Sequence, residues 1–161
     1  MLTLLIILIW GAGCQSEQSA PTSRNISQIS KIQQAISADT IKAHIQKLAG
    51  FYTRHTTSDT SSDTAGIGAT RRWIYQKLNQ YRKRSNYRLK VHYDRFVEDE
   101  NSRLDNPTEI VNVIAVLPGK QLESKERTYI VSAHYDSRVS DVMDDTSYAR
   151  APMTMLRARL R

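Results

Sequence analysis

Residues 127–137, RTYIVSAHYDS, decide how the chain folds. The β-branched and aromatic run Tyr129-Ile130-Val131 passes through two small residues into His134-Tyr135-Asp136. Such a run predicts a buried strand. His134 and Asp136 fall at its carboxyl end, where open α/β sheets carry their chemistry. Side chains alternate along a strand, so the two point to one face. That placement suits an imidazole that binds metal and a carboxylate that orients it. A strand end with a satisfied histidine and a turn-starting Asp-Ser fits the same letters, because one imidazole does not make a metal site.

Upstream, residues 110–117, IVNVIAVL, are nearly all apolar and end at Pro118-Gly119, which predicts a strand buried on both faces. Tyr87, Leu89, Val91 and Tyr93 alternate with Arg88, Lys90, His92 and Asp94, the pattern of a half-exposed strand. A charged loop at 98–107 and a polar connection at 121–127 join these pieces. Before them, the spacing predicts a helix from about residue 65 to 84, with Ala69, Trp73, Lys77 and Tyr81 inward and Ile74 and Leu78 beside them. Gly66-Ile67-Gly68-Ala69 lacks the third glycine and the preceding strand of a dinucleotide fingerprint, and is better taken as that helix's entry.

Two shorter helices come first. Ile26, Ile29, Ile32 and Ile36 form one apolar stripe; Ile41, Ile45 and Leu48 form another, capped by Ser37 or Asp39 and closed by Gly50. His44 lies outside that stripe and is expected to face solvent. The loop 51–64, FYTRHTTSDTSSDT, is polar. His55, Asp59 and Asp63 could be drawn as a metal cluster, but this composition is that of turns and helix caps. Helices followed by three strands ending at a polar rim predict a three-layer α/β/α protein with a mixed sheet, of which this is the N-terminal half.

The 161 residues suffice for one domain. With 23 Lys+Arg against 16 Asp+Glu the formal charge is +7. The excess is dispersed over RRW (71–73), YRKR (81–84) and RARLR (157–161), and the basic residues within 71–84 are expected on the solvated face of a helix. No nucleic-acid-binding fold accompanies it, so nucleic acid is not expected as a partner. Cys14 is the single cysteine, which excludes an internal disulfide.

Residues 1–10, MLTLLIILIW, are too few to span a bilayer, which takes about 20 apolar residues. They have the length of a signal-peptide core. Gly11-Ala12-Gly13-Cys14 resembles a bacterial lipoprotein cleavage site with Cys14 as the lipidated residue, although no Lys or Arg precedes the run and Gly11 replaces the usual Leu. The expected organisation is an export signal (1–14), a Ser/Gln-rich tether (15–25), a domain portion (26–149) and a basic tail (150–161). The expected location is periplasmic, membrane-anchored through Cys14, or secreted.

Several separated motifs then agree. Residues 52–56 (YTRHT), 62–74 (SDTAGIGATRRWI), 106–119 (NPTEIVNVIAVLPG) and 129–138 (YIVSAHYDSR) resemble, in order and spacing, the zinc aminopeptidase-type family, peptidase family M-twenty-eight of clan MH. The resemblance covers residues 41–149. It implies a zinc-exopeptidase-like fold and an exopeptidase in which two zinc ions, about 3.5–4 Å apart, clamp a water that attacks a peptide carbonyl. It makes His134 a metal ligand and Asp136 the catalytic residue that orients it. The family's bridging Asp, paired Glu residues, further acidic ligand and late His have no matching positions here. Asp141, Asp144 and Asp145 resemble the loop before the bridging Asp and are taken as a surface turn.

Past Ala149 the resemblance stops. Read one base early, the codons for Met153-Thr154 force an Asp, and the family's P-G-A-D-D-D-A-S-G is permitted around it. A reading-frame shift near residues 149–150 is therefore expected; the alternative is a genuine basic tail. Two function classes follow: an exported zinc aminopeptidase represented by an incomplete, inactive chain acting on peptides, or a non-catalytic exported binding or surface protein on the same scaffold. A serine hydrolase built on His134, Asp136 and Ser137 fails, because three nearly adjacent residues cannot form a relay.

Overall fold

A computed structural model describes residues 23–124, 126–149 and 157–160. The expected export signal, Cys14, the tether up to residue 22 and, of the expected basic tail that follows the suspected frameshift near 149–150, residues 150–156 and 161 lie outside them. The chain divides into two compact units, Met1–Ala38 and Asp39–Arg161. In the first, helix α1 spans Ser23–Gln34. Its stripe Ile26, Ile29 and Ile32 is present but exposed, as is Ile36 beyond it.

The second unit holds α2 (Ala38–Ala49), α3 (Gly66–Arg84), β1 (Lys90–Glu98), β2 (Thr108–Val116), a 3-10 turn (Leu122–Ser124), β3 (Tyr129–Ser132) and β4 (Arg157–Leu160). It is a mixed α/β structure. Strands β1 and β2 pair antiparallel, from Lys90 opposite Val116 to Glu98 opposite Thr108. Helix α3 packs across both strands, with Tyr75 stacked on Tyr93 at 4.4 Å between ring centroids. Beneath it Val111, Ile67, Ala69 and Thr70 are buried.

Several expectations change. Among the described residues the strands form two antiparallel pairs, β1–β2 and β3–β4, and one mixed sheet is not among them. β2 buries only Val111, because α3 covers one face of a two-stranded ribbon. β3 is exposed throughout, not buried: it pairs with β4 along one edge. The first strand starts at Lys90, since Asn86 and Tyr87 turn the chain at φ of 50° and 61°. Tyr81 on α3 is exposed. His44 faces inward, half-buried, its ring edge-on to Trp73 at 5.4 Å. Helix α2 is thus rotated so that His44 approaches α3 and Leu48 is half-buried, while Ile41 and Ile45 stay exposed.

The loop expected to be polar surface is the hub of this unit. Phe51, Thr53, Arg54, His55 and Ser58 are all buried. It caps α3 from below: Gly66 N–H donates to Phe51 O, Ile67 N–H to Ser58 Oγ, and Gly68 N–H to Asp59 O. Those amides would otherwise be unpaired at a helix start. Gly66 has φ of +81°, and a Cβ on Gly66 or Gly68 would run into the carbonyls of Asp59 or Thr60. The glycines admit a backbone, not a phosphate.

Candidate metal-ligand site

His134 and Asp136 stand on residues 133–139, an extended run outside any strand. The structure brings them together: His134 Nδ1 is 2.9 Å from Asp136 Oδ1. A carboxylate only accepts, so Nδ1 is the donor in this contact and Nε2 is the nitrogen left to bind a metal. Both side chains are solvent-accessible. They line a groove of about 260 Å³ with Thr56, Ile67, Arg71 and Asn112.

Between them Tyr135 lines the same groove, and its hydroxyl donates to Val111 O at 2.6 Å. Burial raises the Tyr135 phenol above its usual range, which keeps it a neutral donor. On the opposite side Arg54 Nε donates to Tyr135 O at 3.0 Å, and Ser137 N–H donates to Arg54 O at 3.0 Å. Ser137 is buried, and its hydroxyl meets no partner among the described residues. His134 is therefore not placed to activate it as a nucleophile.

A second cavity of about 490 Å³ shares Thr56, Arg71 and Glu109 with the first and adds His55, Thr57 and Asp145. His55 Nε2 donates to Val142 O at 3.0 Å. Its Nδ1 lies 2.9 Å from the Thr57 hydroxyl, which also reaches Asp145 Oδ2 at 3.0 Å. This network fastens the acidic loop 141–149 to the hub. Asp59 is spent on a turn, accepting from Ser61 and Ser62; Asp63 faces Arg72 at 3.4 Å. The drawn cluster His55–Asp59–Asp63 is therefore turn chemistry around a buried histidine.

Zinc ordinarily takes three or four protein ligands. Among the described residues, no three or more His, Cys, Asp or Glu side chains gather to hold a metal. His134 fits one ligand position with its orienting carboxylate; the set does not fit a complete zinc centre. Arg54 and His55 were hidden in the sequence by their Ser/Thr/Asp-rich surroundings. The signal was their place in YTRHT, a motif without an assigned role.

No protein-family model matches the chain, and no solved structure matches it. It is 44% identical over 122 residues to a probable zinc metalloprotease of Leptosphaeria maculans, covering 76% of this chain and 28% of the relative. It is 43% identical over 104 residues to one of Pyricularia oryzae, covering 65% and 20%. With one of Pyrenophora teres f. teres it shares 41% over 114 residues, covering 71% and 23%. The chain thus spans between a fifth and three tenths of these relatives' length. What it is similar to, across most of its own length, is a set of probable zinc metalloproteases, and that likeness supports a zinc metallopeptidase.

Proposed function

We propose that this chain carries part of the metal centre of an exported zinc aminopeptidase of the M-twenty-eight kind, on a three-layer α/β/α scaffold. One observation carries the reading: the His134–Asp136 pair, 2.9 Å apart with both side chains solvent-accessible, in a chain similar to zinc metalloproteases. A bound zinc would supply Lewis-acid polarisation and an activated water. The chain's own part is narrower. Asp136 fixes the tautomer, Tyr135 and the hub fix the backbone, and the groove beside the pair takes the end of a peptide. Export belongs to the same proposal and rests on the apolar run 1–10, with Cys14 as a possible membrane anchor.

The absence of a three-donor cluster among the described residues favours a second reading for the chain alone, a non-catalytic exported binding or surface protein. A chimera separates them. The matched stretch of the Leptosphaeria maculans relative is replaced by this chain's counterpart, with the unmodified relative as the activity standard. The chimera is expected to cleave aminoacyl anilides, to stop on chelation and to recover with zinc. His134→Ala should abolish turnover, and Asp136→Asn should lower it about 10–100-fold. The 161-residue chain alone should show none. An active chimera indifferent to His134→Ala sinks the ligand role of His134, and a folded chimera that stays inactive with zinc while the unmodified relative turns over sinks the metallopeptidase reading and leaves the binding one.

A further inference from the structure

We propose that Arg54 is the positioning residue of the His134–Asp136 pair. The proposal rests on reading His134 as a metal ligand. Residues 133–139 belong to no strand, so no sheet ladder fixes where His134 and Asp136 point. Their place is set by side-chain and loop contacts, and most of these converge on one residue. Arg54 Nε holds Tyr135 O at 3.0 Å, the carbonyl between the two functional side chains. Its own carbonyl takes the Ser137 amide at 3.0 Å, just past Asp136. The other arm of the fork, Nη1, reaches Leu48 O at 2.7 Å in the last turn of α2. Arg54 therefore ties a helix end to both flanks of Asp136.

Burying a guanidinium is costly, and Arg54 is only 3% exposed. Burial lowers its pKa, while the nearby Asp136 carboxylate favours its charge. A planar fork with several fixed donors can serve two carbonyls at once; an ammonium on a flexible stem is a single point and cannot. Without the fork, the Tyr135 peptide can rotate, and Asp136 Oδ1 leaves the 2.9 Å position that keeps the proton on His134 Nδ1. The ligand atom Nε2 would then be protonated part of the time. Arg54 acts through Asp136, without touching substrate or metal.

The test reads that proton directly. Nitrogen-15 magic-angle-spinning spectra of the full histidine-labelled chain are recorded at pH 8, above the ordinary imidazole range, in a His44→Gln, His92→Gln background. Two rings remain, and the structure gives them opposite tautomers: His55 with the proton on Nε2 toward Val142 O, and His134 with it on Nδ1. Arg54→Lys is expected to convert His134 to a mixture of tautomers while His55 keeps its Nε2 proton. Asp136→Asn, with Arg54 intact, should give the same His134 change. Three results each overturn the proposal: His134 already protonated on Nε2 with Arg54 present, His134 unchanged by Arg54→Lys, or His55 losing its tautomer together with His134. The last would mean that Arg54 merely holds the fold. No metal enters the measurement, so its failure is separate from failure of the peptidase reading.

Discussion

Gly68 shows how one missing methyl group positions the site. Its amide donates to Asp59 O at 3.2 Å, and its Cα lies where any Cβ would collide with the Thr60 carbonyl. The obstacle is backbone, so it cannot swing aside as a side chain would. The neighbouring Gly66 also sits at φ of +81°, where an L side chain is strained. Gly68→Ala should therefore push the 51–60 loop off the start of α3. We expect a loss of about 1–3 kcal/mol in denaturant unfolding, the usual cost of overpacking. The same displacement should reach the His134 groove, because Arg54 and His55 ride on that loop. Wild-type stability in Gly68→Ala would mean that the loop and helix tolerate separation. In the sequence, the two glycines, without a third glycine or a preceding strand, make a weak dinucleotide fingerprint and mark a helix entry. What they admit could not be read there, since the carbonyl that fills the space comes from a loop without periodicity.

Among elements, the segment 139–149 depends most on electrostatics. Asp144 is held at about 2, below the ordinary 3.8, first by the Ser147 hydroxyl and then by the Ser147 and Thr146 amides. Its folded pKa is depressed, so its contribution is complete above the unfolded value and is lost as pH falls through the folded one. The window runs from about pH 4 down to about pH 2. Protection of the Thr146 and Ser147 amides, taken relative to intrinsic exchange at each pH, should fall across that window, and Asp144→Asn should flatten the dependence. Unchanged protection down to pH 2 would refute the turn's role. Element by element, legibility followed amphipathic period. Helix α3 lies within a residue of its expected 65–84 span, and the alternation of Val91 and Tyr93 with exposed neighbours is present in β1. His44 was misplaced because Trp73, its partner across the helix pair, is distant in sequence. The hub 51–58 was misplaced because buried polar groups there satisfy one another, which composition cannot reveal. The His134–Asp136 contact was legible because two residues of extended chain suffice to make it.

At the scale of the whole molecule, the balance of covered and uncovered apolar surface sets behaviour. Tyr129, Ile130 and Val131 are 67%, 52% and 63% exposed on β3. Phe96, Val97, Val116 and Leu117 are also open on or beside the β1–β2 ribbon. Two-stranded sheets are marginal in water unless packed, and open strand edges invite pairing with another chain. The helix–ribbon contact around Ile67 and Val111 supplies a small core that cannot also stabilise β3 and β4. The isolated chain should accordingly bind a hydrophobic dye at neutral pH, melt over a broad range and sediment as a distribution of assemblies. Its formal charge of +7 opposes association at low ionic strength. Added salt should therefore shift sedimentation toward larger species as that repulsion is screened. Lysines placed on β3, Ile130→Lys with Val131→Lys, should move the distribution toward monomer, because a charged edge strand resists pairing. The His134–Asp136 contact should survive this double change, since it is fastened by Arg54 and Val111 rather than by β3. A single sharp calorimetric transition from a monodisperse monomer would show instead that the exposed strands are stable without a cover.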